Sequence, residues 1–334
     1  MTMLRLAASL MAALFLSSCA DPAPLQPETA ARARAVPVAD HHQHLRSRAG
    51  TDLVYRDRKD AADAVVIDAD DIIAQLNEAG IKRAAVLSLG YWFESPLDGP
   101  IPKNAHQLVR AENEWTAAEA ARFPDRLAAF CSFNPLSDAA LRELEWCATS
   151  GKFRGVKLHL GNSGVDIRRP DHAQKVARVF QAANAARLPM VVHLWTDPAY
   201  EEEGAAHATA LLTRILPAAP DVVVQIAHLA GGGRTTEAAF GVLADAIAAN
   251  DPRTKNLYFD ASTSVVPDLS RADVESLAKR FRQVGLDRIL YGSDGARGPQ
   301  NSVAREGWLA FRRLLPLSDE EISDISDNVA PYLR

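Results

Sequence analysis

Cysteine is scarce in this chain, three residues in 334. That is too few to staple a fold, and a chain of this length buries a large core without staples. A cationic excess is also missing. Lysine and arginine total 37 against 42 acidic residues, a formal net charge of -5. With no basic stripe along the sequence, nucleic acid is excluded as the expected partner. Long apolar runs are confined to the N-terminus, and no sequence repeat is visible. Histidine is scarce too, nine in all, yet His41, His42 and His44 crowd into VADHHQHLRS.

The first stretch, MTMLRLAASLMAALFLSSCA, has one Arg, an apolar run and then small residues. It reads as a secretory signal, too short and too poorly flanked for a spanning helix. Leu16, Ser17 and Ser18 before Cys19 resemble the lipobox of bacterial lipoproteins. The expectation is a signal peptide over 1–18, lipidation of Cys19, and an exported, periplasmic lipoprotein anchored to a bacterial membrane. An ordinary signal peptide with a nearby Cys is the alternative. Residues 19–35, rich in Pro and Ala, read as a tether. Cys131 falls in a strand and Cys147 in the next helix. Two buried free thiols are the simpler reading, with pairing left open in an oxidising compartment.

From about residue 36 to 334 the chain reads as one domain. Eight apolar runs recur: AVPVADHH, KRAAVLSLG, LAAFCSFNP, GVKLHLG, PMVVHLW, VVVQIAHLAG, NLYFDAST and RILYGSDG. Amphipathic stretches such as ADDIIAQLNEAG and VESLAKRFRQVG separate them, several ending in Gly. Strand and helix alternating eight times predict an α/β fold, a (β/α)8 TIM barrel. LSDEE predicts a capped extra helix at the C-terminus. YWFESPLDGPIPKN, the longest insertion, is placed over the barrel mouth.

Active sites of such barrels sit at the C-terminal strand ends, and side chains two apart share a face. His42 and His44 end the first strand, and Lys157 and His159 the fourth. His193 ends the fifth, His228 the sixth and Asp294 the eighth, with Asp260 in the seventh. Each alone has a structural explanation. Together, neutral imidazoles and carboxylates at one rim point to a borderline divalent metal, zinc first. His41, one residue out of phase, is expected on the outer face in a structural role. His106, His172 and His207 are assigned to surface or local contacts.

These elements resemble the amidohydrolase superfamily, most closely its "amidohydrolase 2" branch. The resemblance rests on D-x-H-x-H at 40–44, GVKLH at 155–159, VVH at 191–193, IAHLAGG at 226–232, YFDAS at 258–262, YGSD at 291–294 and the closing NVAPYL. It implies that His42, His44, His193 and Asp294 hold one metal. It further implies that His228 polarises the substrate or moves a proton, and that Asp294 takes a proton from an activated water. Lys157 and His159 would face the substrate, Lys157 meeting a carboxylate. Trp195, in phase with His193, is a candidate pocket wall, as are Tyr91 and Trp92. Arg297 is a weaker anion-binding candidate. The superfamily also offers a two-metal version with a carboxylated Lys157 as the bridge. One zinc is expected, with manganese or the two-metal version as alternatives.

The expected activity is an exported metal-dependent hydrolase of an amide, ester or lactone in a small carboxylate-bearing substrate. A non-oxidative decarboxylase is the alternative. An inactive barrel used as a binding protein is the third reading. A small-molecule partner is expected, and a homodimer is left open.

Overall fold

The computed structural model describes residues 21, 23–56, 64–97, 99–194, 201–231, 237–295 and 303–334. Eight strands form it: β1 (Ala39–His44), β2 (Arg83–Leu87), β3 (Leu127–Ser132), β4 (Gly155–His159), β5 (Met190–His193), β6 (Val224–Ile226), β7 (Leu257–Asp260) and β8 (Ile289–Leu290). All seven neighbouring pairs are parallel and in sequence order. Backbone bonds from His41 N to Tyr291 O (2.9 Å) and from Asp294 N to His42 O (2.7 Å) join the two edges. The result is the (β/α)8 barrel that the alternation predicts. The helices start and stop where the local chemistry dictates. Asp68 and Ser270 cap helices 69–79 and 271–284 with reciprocal boxes, and Gly80 ends the first of these at φ 77°. Ser318 and Glu321 form the same box at the start of the C-terminal helix Asp319–Asp327.

The strands bury both faces. Their outer residues, among them Val86, Val156, Val192, Ile226 and Phe259, join the helices in one large core. Inside the barrel, Ala39, Ala85, Leu87, Phe130, Val191 and Ala227 meet Leu333, with Tyr332 packed against them. The closing NVAPYL segment thus plugs the floor. The Tyr332 hydroxyl donates to Gln225 Oε1.

Three expectations are corrected here. β1 carries a bulge, since Asp40 pairs with Ala84 but Gln43 with Val86, so two residues oppose one. The strict alternation that put His41 on the outer face therefore fails. His41 is buried, with its ring edge against the floor residue Tyr332. Cys131 and Cys147 form a disulfide, Cα–Cα 6.4 Å, not two free thiols. Helix Ala140–Thr149 follows β3 directly and both residues belong to the core outside the barrel, so the thiols face each other. The stretch read as a tether is docked from Ala23 onward. Ala23 is buried, Gln26 N donates to Arg313 O (2.7 Å), and Arg32 reaches Arg312 O (2.9 Å) and Asp319 (3.0 Å). Cys19 and the signal segment lie outside the described residues, as do Trp195 and Arg297.

Candidate active site

The bulge turns the end of β1 so that His42 and His44 converge, Nε2 to Nε2 at 3.3 Å. Each ring has its other nitrogen tied to an acceptor. His42 Nδ1 donates to Asp260 Oδ2 (3.1 Å) and His44 Nδ1 to Leu87 O (3.0 Å). That fixes both tautomers with an Nε2 lone pair facing inward. Asp294 follows β8 at φ 54°, in the left-handed region. Its Oδ1 lies 3.4 Å from His44 Nε2 and 3.6 Å from His42 Nε2. Asp40 ties the two strands together. It accepts from His42 N (3.1 Å), Ser293 N (3.0 Å), Gln43 Nε2 (2.9 Å) and Ser293 Oγ (2.5 Å). Burial pushes its carboxyl up to about 6 against those hydrogen bonds.

The remaining rim residues surround this triangle. Lys157 is fully buried, its Nζ 3.2 Å from His42 Nε2, and burial brings its pKa down to about 8. His193 sits between the tilted rings of His159 (4.0 Å between ring centroids) and His228 (4.4 Å), and Tyr91 packs on His159 at 5.0 Å. The insertion after β2 therefore does reach the mouth through Tyr91. His228 Nδ1 donates to Ser262 O (2.9 Å), leaving its Nε2 for the site. His228, Leu229 and Ala230 are all left-handed, φ 53°, 51° and 71°, a strain that fixes the ring's direction. Of the three histidines set aside, His106 is exposed, His172 Nδ1 accepts from Asp166 N (3.0 Å), and His207 lies 3.3 Å from Asp166.

Electrostatics favour the ligand forms. Burial, then the Lys157 charge, lower His42 to about 4; burial, then neighbouring cationic groups, hold His159 and His193 well below 6.5. Burial alone would raise Asp294, but the His44 hydrogen bond and the charges of His42 and His228 hold it far below the usual range. Neutral imidazoles beside an ionised carboxylate are what a divalent cation requires.

The fit can be tested on distances. A tetrahedral shell with bonds of about 2.0–2.1 Å has ligand–ligand edges of about 3.3–3.4 Å. The His42–His44–Asp294 triangle has edges of 3.3, 3.4 and 3.6 Å. Among the described residues a second group, His42, His228 and Asp260, also brings ligand atoms together. Asp260 is the weaker ligand because its oxygens are taken. It accepts from His42 Nδ1, Gln225 Nε2 (2.6 Å), His228 N (3.2 Å), Ser262 N (3.2 Å) and Ser262 Oγ. Burial would raise it, but His42 and Ser262 keep it strongly ionised. Three of the four expected ligands thus meet, and His193 stands outside that triangle. Asp260 stands in YFDAS, which predicts a strand there but no role for the acid. Its part as a hub for His42 and His228 follows only from the contacts in the folded chain.

Fold and site together define a barrel enzyme with a divalent-metal site at the C-terminal strand ends. The amidohydrolase family profile matches residues 39–327, and the chain belongs to that family. Comparison with curated proteins gives no match. Solved structures are similar in fold. 5-Carboxyvanillate decarboxylase from Sphingomonas paucimobilis aligns with TM-score 0.62 at 14% identity, covering 87% of this chain and 96% of that one. 2,6-Dihydroxybenzoate decarboxylase from Rhizobium gives 0.59 at 16%, covering 87% and 96%. 5-Carboxyvanillate decarboxylase from Novosphingobium aromaticivorans, complexed with manganese, gives 0.60 at 14%, covering 91% and 97%.

Proposed function

We propose that the protein is a metal-dependent, non-oxidative decarboxylase of a small carboxylic acid. This replaces hydrolysis as the first reading. The observation that carries it is Lys157. It is a fully buried amine with its Nζ against the metal-facing nitrogen of His42, and among the described residues it has no ion pair with a carboxylate. Asp260 and Asp294 attract the buried amine only from beyond contact, and a substrate carboxylate would give it a direct partner. The decarboxylases of similar fold support the same reading.

In this reading His42, His44 and Asp294 hold the cation, and His193 completes the set. When bound, the cation supplies Lewis-acid neutralisation of the substrate's oxygens. Lys157 holds the substrate carboxylate and His159 lines its path. The carbon–carbon bond to the carboxylate breaks, carbon dioxide leaves, and the electron pair stays on the substrate carbon. His228 Nε2, which faces the site as an acceptor, first takes up a proton from solvent and then delivers it to that carbon. Zinc and manganese both suit three imidazoles and a carboxylate.

Hydrolysis is retained as a second reading on one observation. The Asp294 side chain is 28% exposed, so water reaches it as a base. The test is product analysis with the metal-loaded chain in D2O, on aryl carboxylic acids and on carboxylate-bearing amides, esters and lactones. One carbon dioxide and one deuterium on carbon per turnover are expected, falling at least 100-fold in His228→Asn. A new carboxylate without gas sinks decarboxylation in favour of hydrolysis. Tight binding without turnover leaves the binding-protein reading.

Export as a lipoprotein on Cys19 is also proposed. The Cys131–Cys147 disulfide supports an oxidising compartment. Intact mass of the membrane fraction checks it: a diacylglycerol-modified chain starting at Cys19 is expected, and an unmodified soluble chain refutes it.

A further inference from the structure

At the opposite end of the barrel, the floor carries a concavity of about 610 Å³. Arg83, Arg126, Arg154 and Arg187 line it together with Arg334, and Asp125 and the main-chain carboxylate of Arg334 are its acidic groups. Arg83, Arg126, Arg154 and Arg187 lie near the feet of four successive strands. Arg83 opens β2, Arg126 and Arg154 immediately precede β3 and β4, and Arg187 lies three residues before β5. The feet of β1, β6 and β7 instead have Val38, Val223 and Asn256, and the foot of β8 has Arg288, which lies outside the basin and donates to Thr254 O and Leu257 O. The chain as a whole has more acids than bases, so composition does not explain the grouping.

The charges are held but not cancelled. Among the described residues none of the four pairs with a carboxylate, whereas Arg110, Arg168, Arg280 and Arg312 do. Arg83 Nη1 donates to Leu333 O (2.5 Å), and Arg126 Nη2 to Ile81 O (3.2 Å) and Asn77 Oδ1 (3.0 Å). These neutral acceptors fix the side chains in place. Arg154 and Arg187 are exposed at the rim. Arg187 also sits at φ 58°, while the turns before β2 and β4 use Gly80 and Gly151 for the same left-handed step. An arginine is kept where glycine is the cheaper residue.

We propose that this basin binds a compact polyanion, a small solute bearing two or more phosphate or carboxylate groups. The planar guanidinium fork matches either oxyanion, and several forks around one concavity favour a multiply charged ligand over a single anion. The volume lies within the range of small-molecule sites, roughly 300–1,000 Å³. The site is independent of the catalytic reading above.

The test is a fluorescence-anisotropy titration of the metal-loaded full chain with pyrenetetrasulfonate, a polyanion that coordinates metals poorly, at low salt. Saturable one-to-one binding is expected. Arg154→Glu with Arg187→Glu is expected to weaken it at least tenfold with metal content unchanged. The control pair Arg48→Glu with Arg271→Glu is expected to change it less than twofold. Displacement by fructose 1,6-bisphosphate or by propane-1,2,3-tricarboxylate then assigns the phosphate or the carboxylate class. No saturable binding, equal loss in the control pair, or displacement by neither competitor overturns the proposal.

Discussion

Asp260 sets the direction of two histidines from one carboxylate. One oxygen takes the His42 Nδ1 proton and the Gln225 amide; the other takes the backbone N–H of His228 and of Ser262. Five donors converge on two oxygens, and none is left for a neutral amide group to meet. In Asp260→Asn, one set of donors faces an NH2 instead. The His42 ring then loses its fixed tautomer, and the left-handed turn at His228 loses its anchor. Removing such a support costs about 10–100-fold in metal affinity. We expect that loss in Asp260→Asn, with an unchanged far-UV spectrum, in competition against a chromophoric chelator. Metal affinity equal to wild type would show that Asp260 is only a buried structural acid.

The elements were legible wherever a local rule governs them. Each strand is a short apolar run between turn residues, and each strand-end histidine follows from period two. The same rule failed at His41 because a bulge belongs to a pair of strands. Nothing in ADHHQH alone states that β2 offers one residue fewer over that stretch. The site was legible as residue types at strand ends. Its three-membered ligand triangle was not, because the positions of His193 and Lys157 depend on barrel tilt and on neighbouring rings. Gly292 shows the same limit. A Cβ there would come within 2.8 Å of the His42 Cβ, so YGSD needs glycine because β8 is pressed against β1. The disulfide was left open because pairing depends on how helix 140–149 packs on β3. The basic floor was invisible for a related reason, since its arginines are spread from 83 to 187 and meet only when the strands align.

At the scale of the whole molecule, His41 fastens the start of the barrel to its end. Its Nδ1–H donates to Tyr291 O (2.9 Å) after β8, and its Nε2 accepts from Ala330 N (3.1 Å) in the floor plug. Protonation would set an N–H against the Ala330 N–H. Burial is the main reason that the pKa falls from 6.5 to about 4. In the unfolded chain the same imidazole titrates near 6.5, so between pH 6.5 and 4 the unfolded state binds more protons. The native state's advantage is full above about 6.5 and is lost as pH falls through this window. The shift corresponds to about 3 kcal/mol at order of magnitude. Denaturant unfolding at several pH values checks this, comparing wild type with His41→Gln. The variant should be less stable at pH 7, and its stability should fall less steeply between pH 6.5 and 4, by about one proton. Parallel profiles would mean that His41 does not titrate on unfolding and that acid sensitivity arises elsewhere. The comparison isolates this residue because the other buried histidines, His42, His159 and His193, are present in both proteins.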